Sequence, residues 1–270
     1  MRMHHKQTRS TMQVVQASIY DYPKYYDLLF GADWKAEYDF LRGCFAKHAG
    51  REVRRLFEPA CGTGRLLVKL AQAGYEVSGN DLNPKAVEFC NARLVGHGFP
   101  PTAVVGDMAR FRLRRKVDAA FNTINSFRHL QTEQQACNHL RCVAESLAKG
   151  GLYVLGFHLT PAGPQRCVEE TWSARRGSLA VFSEMWSTRF DRPRRQEWVR
   201  MVFDISTPKR QFRLEDEFPF RTYTAPQFHR LLRRAGGLEL VETYDFAYRL
   251  DERVSVDGRT EDVVFVLRKR

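Results

Sequence analysis

The sequence predicts an α/β fold in which a parallel, helix-covered sheet is interrupted by an inserted antiparallel meander. Two patterns carry that expectation. Between residues 54 and 158, apolar runs of strand length alternate five times with segments of helical period. From 161 to 221, strand-like runs follow one another across Gly and Pro turns with no helical segment between them.

In chain order, RRLFEP (54–59) is a short strand that passes through a glycine turn into GRLLVKLAQAG, an amphipathic helix stopped at Gly74. YEVSGND (75–81) is the second strand, and Pro84 opens the helix KAVEFCNARL, since a first helical turn tolerates proline. TAVVGD and VDAAFNTI are the third and fourth strands. EQQACNHLRCVAESLAKGG (133–151) reads as one long helix with a glycine stop, and LYVLGFH (152–158) as the fifth strand. The inserted strands are TWSARRG, LAVFSEMWSTRF, EWVRMVFDIS and RLEDEFPFRTY. Helical period resumes in TAPQFHRLLRRAGG, with Thr224 as N-cap and Pro226 in the first turn. LELVETYDF and EDVVFVLRKR are expected to close the sheet as an antiparallel edge. The expected organisation is a flexible basic tail over 1–18, one α/β domain built from 19–160 and 222–270, and an inserted lid over 161–221.

No run approaches the roughly 20 consecutive apolar residues of a membrane-spanning helix, and the first 17 residues hold no apolar core of a secretory leader. The six cysteines, at 44, 61, 90, 137, 142 and 167, form no CxxC pair and no ligand spacing with histidine. Reduced thiols in a cytoplasmic protein without a metal are expected. The net charge is +12, with arginine supplying 33 of the 43 basic residues. Such a charge suits a nucleic-acid partner. The arginines, however, are spread along the chain, dense only in RFRLRRK (110–116) and RPRR (192–195), and neither run carries the interleaved aromatics of a strand-binding platform. A solvated surface is the favoured reading, and a nucleic acid the alternative.

PACGTG (59–64) joins a strand to a helix, so it aims the first free N–H groups of that helix at one spot, and Gly62 and Gly64 let a ligand approach the backbone. A phosphate-binding P-loop is excluded because GxxxxGK[ST] is absent, and Leu67 stands where a dinucleotide fingerprint wants its third glycine. Three neighbours decide the ligand. Glu58 ends the first strand, where a carboxylate repels phosphate and attracts an ammonium group. Asp81 ends the second, where an acidic residue takes ribose hydroxyls. Asp107 ends the third, where it can accept from an exocyclic amine while Met108 covers a ring face. An amino group, a ribose and an adenine without phosphate describe S-adenosyl-L-methionine.

LFEPACGTGRLLVKLA, VSGNDLNPKAVEFC, VVGDMARF and VDAAFNTINSFRHL, in this order, resemble motifs one to four of the class I S-adenosyl-L-methionine-dependent methyltransferases. IYDYPKYYDLLFGADWKAEYDFL is similar to the helical cap of their small-molecule branch. The resemblance spans residues 19–158 and, more loosely, 222–268. It implies a Rossmann-like, seven-stranded sheet with its last strand antiparallel, an N-terminal helical cap, and the cofactor across the carboxyl ends of the first four strands. Carried over residue by residue, it gives Glu58, Ala60, Gly62 and Gly64 to the methionine end, Asp81 to the ribose, and Asp107 with Met108 to the adenine. It also sets the backbone around Asn122 beside the methionyl group; Leu82 and Trp34 complete the expected cofactor set. Glutamate at 58 and alanine at 60 depart from the commoner aspartate and glycine, and the alanine narrows the turn.

Methyl transfer from a sulfonium is an in-line displacement that depends on holding the nucleophile near the methyl carbon, so no catalytic triad is expected. Tyr20, Tyr22, Tyr25, Tyr26 and Trp34 offer aromatic faces that can support a cation, and Tyr26 and Trp34 are the choices among them. NSFRHL (125–130) follows the fourth strand. There Asn125 would orient a polar acceptor and His129 would take its proton, the ordinary imidazole pKa being close to neutrality. NTIN lacks the prolines of DNA amine-modifying enzymes, which counts against base methylation. The lid would shield the transfer from water and line the acceptor pocket, with Arg213, Arg221 and Tyr223 turned toward it, and its strands could pair two subunits as a homodimer. The expected function is methyl transfer to nitrogen or oxygen of a small-molecule acceptor, away from any membrane. An RNA methyltransferase and a cofactor-binding interaction protein without turnover are the alternatives.

Overall fold

The computed structural model describes residues 12–163 and 169–270; Cys167 and tail residues 1–11 lie outside the described residues. The chain opens with β1 (Gln13–Gln16), a 3-10 turn at Ile19–Asp21, α1 (Pro23–Phe30) and α2 (Lys35–His48). The alternating part follows as β2 (Arg55–Pro59), α3 (Arg65–Gln72), β3 (Glu76–Asp81), α4 (Pro84–Gly96), β4 (Ala103–Val105), β5 (Val117–Asn122), a 3-10 turn at Ser126–His129, α5 (Glu133–Ser146) and β6 (Leu147–His158). Four long strands come next: β7 (Glu169–Arg176), β8 (Leu179–Asp191), β9 (Gln196–Ser206) and β10 (Gln211–Arg221). The chain closes with α6 (Ala225–Ala235), β11 (Leu238–Tyr244) and β12 (Asp262–Lys269).

The larger sheet has seven strands in the order β11-β12-β6-β5-β2-β3-β4. Its central strands are parallel and β12 is antiparallel to both of its neighbours. Helices cover both faces, which is why its strands read as nearly unbroken apolar runs. Phe57, Ala120 and Tyr153 point into the core shared with α5 and α6, while Leu56, Phe121 and Val154 point into the core beneath α2, α3 and α4. The smaller sheet runs β1-β10-β9-β8-β7. Its inner face, with Val181, Phe203, Ile205, Phe212 and Leu214, packs on Ile19 and Leu28 of the cap. Fixing that face fixes where the lid sits over the strand ends.

Two expectations are corrected. The tail is not free throughout 1–18: Gln13–Gln16 pairs in parallel with Phe212–Glu215, and Val15 joins the lid core. A two-valine strand becomes worthwhile because β10 supplies a waiting edge. The helix expected over 133–151 stops at Ser146, and Gly150 and Gly151 lie inside β6, where Gly50 donates its N–H to the Gly150 carbonyl at 3.0 Å. Those glycines serve a close backbone crossing rather than a helix stop. The last two strands close the sheet as expected: β11 and β12 pair antiparallel at its edge, with β12 against β6 and β11 outermost.

Candidate active site

Backbone conformation creates the first part of the site. Ala60, Gly62 and Gly64 all take positive φ, at 54°, 52° and 68°, which turns β2 sharply into α3. The two glycines have different tasks. A Cβ on Gly62 would meet nothing within 4 Å, so this residue faces open space, whereas one on Gly64 would lie 2.3 Å from Cys90 Sγ. Gly62 leaves its side of the turn open, and Gly64 is the one that lets the turn close on α4.

Carboxylates surround that turn. Asp81 Oδ2 accepts from Gly62 N at 2.8 Å and Oδ1 from Asn83 N at 2.9 Å. Burial raises its pKa, and these backbone N–H groups pull it back. Glu58 is buried with Oε2 unpartnered among the described residues. Burial holds its pKa well above the ordinary value, against the pull of Arg65. Arg65, the first residue of α3, pairs with Glu37 Oε2 at 2.5 Å and donates to the Asp33 carbonyl at 2.9 Å, while Glu37 Oε1 is also buried and unpartnered. Arg65 therefore pairs with one carboxylate and acts on a second through its charge, and each carboxylate keeps a buried oxygen without a partner among the described residues.

The ends of β3 and β4 are more open. Leu82 is 72% exposed at the end of β3, and Asp107 is exposed with Oδ1 accepting from Ala109 N at 2.7 Å. Met108 is partly buried against the core. Its carbonyl receives His139 Nδ1 at 2.8 Å, and His139 Nε2 meets the Tyr153 hydroxyl at 2.7 Å. Burial pushes His139 down to about 4, so a neutral imidazole relays position from the core to Met108. Asn122 donates to the Pro59 carbonyl at 2.7 Å, tying β5 to the glycine turn, and keeps a buried Oδ1 without a partner among the described residues.

The cap is latched onto the same loops. Thr63 Oγ1 donates to Asp27 Oδ1 at 3.0 Å, and Arg93 pairs with the other Asp27 oxygen. Asn83 Nδ2 donates to Asp21 Oδ1 at 2.8 Å. These contacts bring Tyr20 and Tyr26 together, ring centroids 5.5 Å apart. Burial raises both phenols, and each also feels Asp81. Tyr20 OH lies 3.1 Å from His129 Nε2, whose ring packs on Phe218 and Phe220 of the lid. Burial, with Arg128 next to it, pushes His129 down to about 4.

Several expected residues are occupied elsewhere. Trp34 lies under the Lys69 ammonium, 4.5 Å from its ring centroid. Asn125 takes a left-handed backbone, and its Oδ1 accepts from His158 N at 2.9 Å. Arg213 does not turn to the pocket: strand alternation puts it opposite Phe212 and Leu214, where it forks onto Asp204 at 2.7 and 2.6 Å. Arg221 donates to the Gln131 carbonyl at 2.8 Å, and Tyr223 is wholly buried against Phe127 and Phe157. Both anchor the lid base. The true latch between lid and core is Arg128, which pairs with Glu197 and donates to the Arg221 carbonyl.

A family model described as a methyltransferase domain matches residues 57–151, the stretch from the glycine turn through β5 and α5. This part of the chain is similar to a methyltransferase domain. The fold agrees: a crystal structure of an S-adenosylmethionine-dependent methyltransferase from Clostridium acetobutylicum superposes with a TM-score of 0.75 at 18% identity, covering 92% of this chain and 97% of that one. The sugar N-methyltransferase KedS8 from Streptoalloteichus superposes at 0.73 with 19% identity, covering 100% and 99%. In sequence, the chain is 29% identical over 140 residues to the dTDP-3-amino-3,4,6-trideoxy-alpha-D-glucopyranose N,N-dimethyltransferase of Streptomyces venezuelae, which is 50% of this chain and 56% of that relative's length.

Within the matched stretch and the cap, sequence reasoning missed Arg65, Glu37 and Asp27. Arg65 carried a signal, since it is the residue that follows the last glycine of the turn at the start of a helix. Glu37 and Asp27 carried none, because their partners come from other layers of the fold.

Proposed function

We propose that the chain transfers a methyl group from S-adenosyl-L-methionine to an amine of a small, sugar-sized acceptor held between lid and strand ends. The observation that carries the cofactor assignment is the unpartnered Glu58 oxygen within reach of the Arg65 charge at the glycine turn, with Asp81 ending β3 and Asp107 just beyond the end of β4. Glu58 and Glu37 would hold the ammonium, Arg65 the carboxylate, Asp81 the ribose, and Leu82, Asp107 and Met108 the adenine. The cofactor, when bound, supplies an electrophilic methyl group on sulfur. The protein's part is to hold, orient and dehydrate.

The acceptor side supports an amine. Although the chain carries a charge of +12, acidic residues gather on the lid's inner face. Asp216 accepts from Ile19 N at 3.1 Å and lies near Tyr20. Glu170 aligns with Met185, on the side where Trp172 meets Ser183 and Ala174 meets Val181. Tyr20, Tyr26 and the neutral His129 form the aromatic wall, with His129 and Asn125 flanking the path to the acceptor. The relatives described as acting on amino sugars point the same way. The five cysteines of the described residues are free thiols, which suits the cytoplasm, and no described helix is long and apolar enough to cross a membrane. The outward edge of β7 gives the lid a surface on which a second copy could pair, and sedimentation would show the dimer.

Incubation with methyl-labelled cofactor and dTDP-3-amino-3,4,6-trideoxyglucose, followed by mass spectrometry, tests the reading. One or two labelled methyl groups on the sugar nitrogen are expected. Cofactor binding with no methylation across a panel of amino sugars would refute the acceptor class, and no calorimetric heat with S-adenosylhomocysteine would refute the cofactor.

A further inference from the structure

His158 ends β6, beside the strand ends where ligands gather in open α/β sheets, and no motif announces it. Asp262 Oδ1 lies 2.6 Å from its Nδ1, in register across the β6–β12 pair. Asp262 so placed fixes the ring and leaves Nε2 as the free nitrogen, the arrangement by which a carboxylate orients an imidazole base. The ring sits 5.0 Å from Phe246, which stacks on Tyr248 at 5.9 Å, and the Tyr248 hydroxyl donates to the Thr123 carbonyl at 3.0 Å. Tyr248 feels both the Glu37–Arg65 pair and Asp262. Two aromatic rings, Phe246 and Tyr248, therefore separate His158 from the expected methionine end of the cofactor, and His158 lies alongside the segment that follows β5.

The lid supplies the opposite wall. Glu170 is on its inner face by register with Met185. Its carboxyl is pushed up by burial, with His158 opposing that rise and Asp262, Glu261 and Glu197 adding to it. A partly desolvated carboxylate within electrostatic reach of an oriented imidazole suits a cationic amine that must lose a proton before it can attack.

We propose that His158 Nε2 takes the acceptor's proton, with Asp262 positioning the ring and Glu170 drawing the ammonium form of the acceptor to it. This deepens the amine-methylation reading and rests on it. His158 removes one proton from R–NH3+, which frees the nitrogen lone pair. That pair bonds to the methyl carbon as the carbon–sulfur bond breaks, its electrons staying on sulfur, and the product leaves as the protonated methylamine while His158 returns its proton to water. His129 is less suited, because its Nε2 already faces Tyr20 inside an aromatic cluster.

The test combines imidazole nitrogen NMR with kinetics, using dTDP-3-amino-3,4,6-trideoxyglucose as the probe. Free protein should show His158 as the Nδ1–H tautomer, and its Nε2 resonance should move when the probe is added with S-adenosylhomocysteine. Asp262→Asn should lose that fixed tautomer. His158→Gln should lower kcat by about 100-fold, within the usual range for a general base, with cofactor Kd within about twofold of wild type. Added imidazole should restore turnover to His158→Gly. An Nε2–H tautomer insensitive to the probe, or a folded His158→Gln enzyme near wild-type kcat, overturns the inference while leaving the methyltransferase reading intact. A wild-type protein that binds cofactor yet methylates no amine overturns the reading itself, and the NMR arm, which needs binding alone, still reports whether an amine reaches His158.

Discussion

At the scale of single residues, the glycine turn separates binding from folding. Gly62→Ala places a methyl group where no protein atom lies within 4 Å, so its structural cost is the strain of a left-handed alanine, about 1–2 kcal/mol. The same methyl occupies the ligand's approach, and calorimetry should show S-adenosylhomocysteine binding weakened by about 10-fold or more. Gly64→Ala adds to that strain an overlap with Cys90 Sγ at 2.3 Å and should unfold at the lower temperature of the two. Cys90→Ala should recover part of that loss in the double variant and nothing in the Gly62→Ala background. A reversed pattern would exchange the roles of the two glycines. The buried histidines give a second expectation. His139 titrates at about 4 when folded against an ordinary 6.5, so as pH falls the unfolded chain takes the proton first. The stability supplied by the neutral ring is whole above about 6.5 and drains away down to about 4, on the order of 3 kcal/mol in all. Urea melts of wild type at pH 7 and 4.5 should differ more than those of His139→Gln; equal differences would show that His139 does not govern the acid loss. Glu58, with its raised pKa, acts in the opposite sense in both proteins and cancels in the comparison.

Elements place those residues, and the cap matters most among them. α1 reaches the glycine turn through one buried carboxylate, Asp27, shared between Thr63 and Arg93. Asp27→Asn keeps an acceptor for Thr63 and leaves Arg93 without its counter-charge, so α1 should loosen and S-adenosylhomocysteine affinity should fall by about 10-fold. Hydrogen exchange should rise over 23–30 and not over β5; rigid exchange in both would detach the cap from the cofactor site. Elements of this kind were unevenly legible in the sequence. The strands of the large sheet could be read because burial on both faces makes them continuous apolar runs, and Glu58, Asp81 and Asp107 could be read because each ends such a run. QVVQ could not, since its four residues have no period to detect and its partner lies about 200 residues away in β10. The end of α5 was misplaced because Gly150 and Gly151 look like a helix stop, although Gly50 makes them a crossing point. Asp27, Glu37 and His158 act through partners on other elements, a relation that one sequence without its fold does not display.

The whole molecule joins two sheets through the cap, which decides what removing the lid would do. In a variant that replaces residues 164–219 with a Gly/Ser linker, the expected cofactor positions themselves remain, because Glu58 and Asp81 lie at strand ends of the large sheet and Gly62 and Asp107 in the loops that follow its strands. The lid's inner face, however, buries Ile19 and Leu28 of the cap, β10 is the sole partner of β1 among the described strands, and Glu197 neutralises the buried Arg128. Excision would expose the first pair to water, release β1 and leave a buried guanidinium unpaired, a change that costs several kcal/mol when one partner of a buried pair is lost. Adding Arg128→Met removes that last cost without restoring the cap's cover. The expected outcome is that the excised Arg128→Met protein keeps the circular dichroism of the large sheet, transfers no methyl group, and binds S-adenosylhomocysteine at least about 10-fold more weakly, because Tyr20 and Tyr26 have lost the surface that seats them. Affinity equal to that of the parent would mean that the Asp21, Asp27 and Arg65 latches alone hold the cap, and that the lid serves the acceptor and nothing else.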